Sequence, residues 1–331
     1  MTQRPDNKLL ASFDDAKRTA RVRTPEVRAA DEAVARRRSQ ARQQPRDTRG
    51  IVLQNMVGIL SVVAVAVVVA IVLILANSRT SSGNSPDVDQ FELDDPAYSY
   101  QSPYTWTNLE REPGHWTYSV DGEVVSRLGI DVSEAQGWID WDAVSGDGIE
   151  FAIIRLGYRG STEGDLYLDE YFYDNFEGAQ RAGIDRGVYF FSQAVTPEEA
   201  VEEAEFVLAQ LDGAKLQYPI AFDSEEIDLG SGARTAGLSR DEMTAIAEAF
   251  CNRIEQAGYS AMVYGNVHDL ARYNRPSMEK RALWWAEYNV PSPTARIDFV
   301  IWQYSNTGDI DGISTAVDMN LDLSAALANA R

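Results

Sequence analysis

From residue 128 onward, short apolar runs alternate with longer amphipathic stretches, the pattern of strands covered by crossover helices. The runs predict strands over 128–132, 151–156, 187–191, 218–222, 261–264, 283–286 and 299–304, with a last short one near 316–319. Two of the intervening helices carry their own start signals. Thr196, Pro197 and Glu199 supply an N-cap, a proline for the first helical position and a capping glutamate, opening a helix to about Leu211. Ser239 and Glu242 open a second one that closes near Gly258. Eight strands in roughly 200 residues define an α/β fold, a modified TIM-like (β/α) barrel with reduced helices. An open, doubly wound sheet satisfies the same alternation.

Upstream the pattern changes three times. Residues 114–127 hold two β-prone runs, 116–120 and 123–127, around Asp121 and Gly122, a pairing that predicts a two-residue hairpin leading into the barrel. Residues 77–113 are rich in Ser, Asn, Asp, Pro and Tyr without period, and read as an extracellular linker. Residues 51–76 contain no charged side chain and are almost entirely Val, Ala, Ile and Leu from Met56 on. A helix needs about 20 apolar residues to cross a bilayer core, and an open strand cannot satisfy its backbone there, so this segment predicts one transmembrane helix. Fifty residues precede it and no small-x-small cleavage site follows it clearly, which favours an uncleaved anchor over a signal peptide.

Charge changes the picture further. The 331 residues carry a net −21, yet residues 1–50 hold 13 Lys/Arg against 7 Asp/Glu, so the remainder is strongly acidic. Arg36, Arg37, Arg38, Arg42, Arg46 and Arg49 lie just before the apolar run, which by the positive-inside rule keeps this basic tail in the cytoplasm and residues 77–331, with the catalytic domain at 128–331, outside. Such a tail could also contact nucleic acid, but retention explains the same arginines alone. No nucleic-acid partner is expected, and the sequence identifies no cytoplasmic partner for the tail. Cys251 is the only cysteine and lies within a helical pattern, the setting of a buried apolar thiol. With only two histidines, a Ser-His-Asp triad or a histidine-rich zinc site has little to work with. The chemistry falls to carboxylates, Tyr, Trp, Arg and amides.

In a barrel of this kind active sites lie where the strands end. That rule selects Asp131, Tyr189, Asp223 with Glu225, Glu287 with Tyr288, Gln303 with Tyr304, and Asp318. Asp223 and Glu225 share one face of an extended strand, with Cα atoms roughly 6.5 Å apart. Two carboxyl groups in one site can hold different protonation states, which glycoside hydrolysis requires. A solvated strand end has the same spacing. Acids beside aromatic side chains also suit a polysaccharide cleft, although Trp284, Trp285 and Trp302 are equally ordinary as core.

Several ordered motifs carry a resemblance across 128–327. GIDVS (129–133) is followed by QG (136–137) and IDW (139–141), then IIRLGY (153–158), GVYFF (187–191), PIAFDSE (219–225), WAEY (285–288), IWQYS (301–305), GI (312–313) and VDMN (317–320). Together they resemble the glycoside hydrolase family 25 lysozymes, N-acetylmuramidases of the Chalaropsis type. The resemblance implies a membrane-anchored lysozyme that cleaves the β-1,4 bond between N-acetylmuramic acid and N-acetylglucosamine in peptidoglycan, for wall remodelling or catabolism, with retention favoured. It implies Glu225 as general acid, Asp223 as its partner, and Asp131 and Asp318 as further catalytic acids on the floor of the site. Tyr189, Gln303, Trp285 and Tyr288 become expected substrate contacts, and neither a metal nor an organic cofactor is called for. The expected location is the bacterial cell membrane, single-pass, with the catalytic domain outside. Three positions depart from the family pattern. Ala135 stands where a large residue is usual, Ser224 replaces a common Val, and Glu287 adds an acid to the Trp-Ala-x-Tyr motif. Two other readings remain: a peptidoglycan-binding anchor without turnover, and an interaction protein whose working part is the tail.

Overall fold

The computed structural model describes residues 100–112, 114–226 and 233–330. The tail at 1–50, the expected membrane span at 51–76 and the first part of the expected linker lie outside the described residues. Among the described residues, no helix is long and apolar enough to cross a membrane.

The chain enters through a small antiparallel sheet of β1 (Leu109–Glu112), β2 (His115–Val120) and β3 (Glu123–Val124). Asp121 at φ 53° and Gly122 at φ 86° make the tight turn between the last two, with Val120 opposite Glu123. The strand β1 and a 3₁₀ turn at Trp106–Asn108 fall inside 77–113, so the end of that segment is folded rather than linker. Its lack of period concealed this, because Tyr100, Tyr104 and Trp106 find their partners far along the chain.

The barrel itself is built from β4 (Arg127–Val132), β5 (Phe151–Arg159), β7 (Asp185–Phe191), β8 (Ile220–Asp223), β9 (Ala261–Gly265), β10 (Ala282–Ala286), β11 (Ile301–Gly308) and β12 (Val317–Asp322). The pairing of β4 with β5 closes the sheet, and a short β6 (Leu166–Leu168) hangs antiparallel on the edge of β5. Eight strands close the ring as the apolar runs predict, but not all are parallel. The last, β12, runs antiparallel to both β11 and β4. This reversal matters for the site, since the start of β12, not its end, meets the end of β4, and Asp318 pairs with Asp131.

Alternation along each strand separates two layers. Phe151, Ile153, Ala221, Met262, Trp284 and Ile301 fill the barrel. The intervening side chains face outward, where Phe190 meets Phe206 and Phe222 meets Phe250 on the covering helices. Gly129 has to be small, because a Cβ there would lie 2.4 Å from the Phe151 ring. The helices are α1 (Trp141–Gly146), α2 (Phe172–Arg181), α3 (Pro197–Leu211), α4 (Arg240–Gln256), two short turns α5 (Val267–Leu270) and α6 (Arg275–Met278), and α7 (Ser324–Ala330). Both N-caps form where the sequence predicts them: Thr196 accepts from the Glu199 N–H at 3.2 Å, and Ser239 and Glu242 form a reciprocal box, but the Glu199 carboxylate closes no box on Thr196 and accepts instead from the Val195 N–H at 2.9 Å. Cys251 is fully buried on α4, with its thiol pushed up to about 12 by desolvation.

No helix covers β10 to β12 between residues 287 and 316. The entry segment does that work instead. Trp116 stacks on Tyr304 at 4.2 Å, Trp106 lies parallel to Phe299 at 6.3 Å, and Tyr104 donates to the Phe299 carbonyl. The reduced helices are thus compensated by aromatic side chains from 104–118, each ring worth roughly 1.5–3 kcal/mol on burial.

Candidate active site

One end of the barrel gathers carboxylates. β4 delivers Asp131 into the interior near its last residue, β8 finishes on Asp223, Glu225 lies two residues further on the same face, and the reversed β12 brings in Asp318. Asp131 and Asp223 are almost wholly buried, at 6% and 3% exposure.

The surroundings of Asp131 are neutral donors. Its Oδ2 accepts from Gln303 Nε2 and from Asn320 Nδ2, each at 2.7 Å. Gln303 Oε1 in turn accepts from the Tyr264 hydroxyl at 2.8 Å and from the Tyr288 hydroxyl, and Asn320 Oδ1 accepts from Trp284 Nε1 at 2.7 Å. Five strands therefore lock one carboxylate through amides and phenols, with no opposite charge in the chain of bonds. Asp223 is less satisfied, because its Oδ1 is buried and has no hydrogen-bond partner. Such an atom costs free energy unless a ligand or water completes it.

Electrostatics follow from that geometry. Burial pushes Asp131 well above the ordinary carboxylate range, and the neighbouring Asp318 adds to the rise while the two amides oppose it. Asp223 is also held well above that range, by burial first and then by Glu225, Asp269 and Asp131. Glu225 is raised to about 7 by desolvation, with the charge of Asp269 next and a hydrogen bond to Asp223 opposing. Asp318 is raised to about 6 by its burial. The cation that opposes the rise at Asp223 is Arg155, itself held by Asp169 at 2.8 Å and Glu134 at 3.0 Å. The cluster can therefore carry a proton near neutral pH, the requirement for a general acid.

Of the sequence-predicted residues, Asp131, Asp223, Glu225, Asp318, Tyr189, Tyr288 and Gln303 meet at this end. Tyr189 faces inward from β7 with its ring 6.1 Å from Trp284, and its phenol is held well above the usual range by desolvation. Trp285 does not join them. It belongs to the outer layer against Phe299, and its Nε1 donates to Glu287 at 3.0 Å. Alternation allows only one of the two tryptophans to face inward, and the inward one is Trp284. Glu287 is likewise turned away, accepting from the Thr294 N–H and hydroxyl at 2.7 Å, so the extra acid of the motif lies outside the cluster. Ala135 is exposed in a 3₁₀ turn at the rim.

Asn320, Tyr264 and Asp269 are part of the arrangement but are not among the residues selected from the sequence, although Tyr264 ends the predicted strand 261–264 and is reached by the same rule. Asn320 was within reach, since it lies two residues beyond Asp318 and so shares its face. Asp269 follows β9 in a segment without period and has no comparable signal. Among the described residues, no group of three or more His, Cys, Asp and Glu side chains is placed to hold a metal ion.

Comparison with known proteins converges on the same segment. Residues 130–313 match the family described as glycosyl hydrolases family 25. The chain is 30% identical over 192 residues to the autolytic lysozyme of Clostridium acetobutylicum, covering 58% of this chain and 54% of that protein. It is 31% identical over 210 residues to lysozyme M1 of Streptomyces globisporus, covering 58% and 66%. The chain thus spans between about half and two thirds of the length of these relatives. Among solved structures, the modular autolysin LytC of Streptococcus pneumoniae in complex with a synthetic peptidoglycan ligand superposes with a TM-score of 0.55 at 25% identity, over 65% of this chain and 52% of that one.

Proposed function

The chain belongs to glycosyl hydrolases family 25, and from that premise we propose that it is a lysozyme that cuts the β-1,4 bond between N-acetylmuramic acid and N-acetylglucosamine in peptidoglycan. The observation that carries this reading is the cluster of four buried or half-buried carboxyl groups with Glu225 at about 7. At neutral pH Glu225 holds a proton in a substantial fraction of molecules and can give it to the glycosidic oxygen as the bond from C1 breaks. The lysozymes matched above and the glycan ligand of the pneumococcal neighbour support the substrate class.

Asp223 fits a role toward the 2-acetamido group. Its unpartnered Oδ1 is an acceptor without a donor, and an acetamido N–H is the donor such a substrate brings. Held in that way, the acetamido oxygen attacks C1 as the leaving sugar departs with the Glu225 proton. Glu225, now a carboxylate, then takes a proton from the water that reopens the ring, and configuration is retained. Asp318, at about 6, is largely ionised at neutral pH and favours the positive charge that develops at C1, while Asp131, held by its two amides, fixes the floor of the site. Tyr189, Tyr288 and Gln303 line the same end and would contact the sugar.

The test is digestion of purified peptidoglycan by the full chain and by Glu225→Gln, with the new reducing ends identified. Muramic acid at the reducing ends from wild type alone is expected. Equal release by both proteins would remove Glu225 from its role.

We further propose that residues 51–76 anchor the enzyme in the bacterial cell membrane, with the basic tail inside and the barrel outside. The uncharged apolar run and the arginines before it support this. Protease added to intact spheroplasts should degrade the barrel and spare an epitope placed in residues 1–50. Loss of the epitope with protection of the barrel would reverse the orientation, and protection of both would overturn export of the barrel.

A further inference from the structure

Glu225 lies beyond the last residue of β8, so no strand ladder fixes it. Its neighbours are fixed from elsewhere. Arg272 Nη1 donates to the Ser224 carbonyl at 3.2 Å, on one side of Glu225. On the other side, the Glu226 N–H donates to Asp269 Oδ1 at 3.4 Å. The second oxygen of the same carboxylate accepts from the Asn266 N–H at 3.2 Å, which ties it to the end of β9. Asp269 is 3% exposed and Ser224 2%. The approach is close enough that a Cβ on Gly265 would lie 2.9 Å from the Asp269 Cβ, which explains a glycine at that strand end.

We propose that Asp269 and Arg272 are positioning residues for Glu225, gripping the backbone on both sides of it and presenting one fixed negative charge beside its carboxyl group. The inference rests on the reading of Glu225 as the general acid. Catalytic geometry is sensitive to displacements of about 1 Å, and these two bonds are what hold a residue that secondary structure leaves free. The charge has a separate consequence. Glu225 is faced by Asp223 from β8, Asp318 from β12, Asp131 from β4, Tyr264 from β9 and Tyr288 from just beyond β10. Asp269 is faced by Arg272 and His268 on its own segment and by Asp223 and Tyr273. Among the acids, Asp269 is the one that raises Glu225 most; burial raises its own carboxyl, against which the Asn266 and Glu226 N–H groups and Arg272 favour the ionised form.

The test is the pH profile of hydrolysis of soluble, uncross-linked peptidoglycan strands by the full chain. Asp269→Asn and the smaller Asp269→Ser both remove the charge. Each should move the alkaline limb, where Glu225 loses its proton, to lower pH by roughly half a unit to one unit. Arg272→Lys keeps its charge but loses the planar reach to Ser224, and should lower kcat by roughly 10-fold or more with KM held and the limb unmoved. An unmoved limb in folded Asp269 variants, with Glu225→Gln inactive, would overturn the proposal while leaving Glu225 as the acid. If neither Asp269 variant folds, an unchanged kcat in Arg272→Lys would overturn it. Full activity of Glu225→Gln would instead sink the underlying reading.

Discussion

The two ends of the barrel are both polar inside, yet they treat their acids in opposite ways. At the end where β4, β5, β7 and β8 begin, Arg127 pairs with Asp185 at 2.8 Å and Glu150 at 3.2 Å, and its guanidinium lies 5.6 Å from the Tyr218 ring centre. Tyr218 then donates to Asp322 at 2.7 Å. At the other end, Asp131 is met by amides, Asp223 keeps an unpartnered oxygen, and Glu225 and Asp318 are raised to about 7 and about 6. A matched cation makes an acid structural, whereas burial without one leaves it a proton to give. The difference separates plug from site more sharply than the number of acids at either end.

The largest test of this contrast is chemical. Glu225→Gln or Asp223→Asn should lower peptidoglycan hydrolysis by about 10²- to 10⁴-fold, while raising the thermal midpoint at neutral pH because folding no longer has to hold a buried acid above its ordinary titration range. Paired activity and unfolding measurements check it, and a lowered midpoint for both variants would blur the comparison. At the opposite end Arg127→Met should do the reverse, costing about 1 kcal/mol, since the pairs are partly exposed, with kcat unchanged. Denaturant unfolding read beside the hydrolysis rate separates the two outcomes.

The pH dependence of stability gives a smaller effect with a definite sign. In the folded protein Glu225 and Asp318 keep their protons up to about 7 and about 6, whereas the unfolded chain releases them near 4.3 and 3.9. Between those limits the folded state binds more protons, so stability falls as pH rises through the window and is greatest at its acid side. Glu203, fully buried behind the barrel with its carboxyl at about 7, adds to the same slope. Melting curves from pH 5 to 8 should show the decline, and Glu225→Gln should reduce it in part. An equal slope in the variant would mean that Glu225 titrates alike in both states.

The smallest test uses the two adjacent tryptophans. Trp284→Phe removes the donor to Asn320 and should slow hydrolysis several-fold, whereas Trp285→Phe loses only the outer bond to Glu287 and should leave the rate alone. Reversed outcomes would place the wrong residue inside the barrel.

These tests also mark what the sequence could and could not reveal. Eight strands and four converging acids were legible because apolar runs have a period and strand ends are read from the same runs. Direction was not, since a short run such as 316–319 looks the same whether the strand runs up or down. Asp318 was selected by assuming that β12 runs parallel, yet it reaches the site because the strand is reversed and begins there. The choice between Trp284 and Trp285 depends on which alternate residues face inward, a parity fixed only by pairing with Ile301 and Trp302. Asp269 reaches Glu226, 43 residues away, a contact for which no local pattern exists, whereas β1 pairs with the adjacent β2.

The reversed β12 has one more consequence, in time rather than in space. Asp131 is completed by Gln303 and Asn320, 172 and 189 residues later in the chain. A nascent polypeptide that has delivered seven strands of the barrel holds Asp223, Glu225 and Gln303 but has neither Asn320 nor Asp318. The full set of acids is therefore acquired in one late step, when residues 317–322 dock between the first strand and β11. For the wall hydrolase proposed above, that order of assembly is a delay requiring no inhibitor and no cleaved precursor.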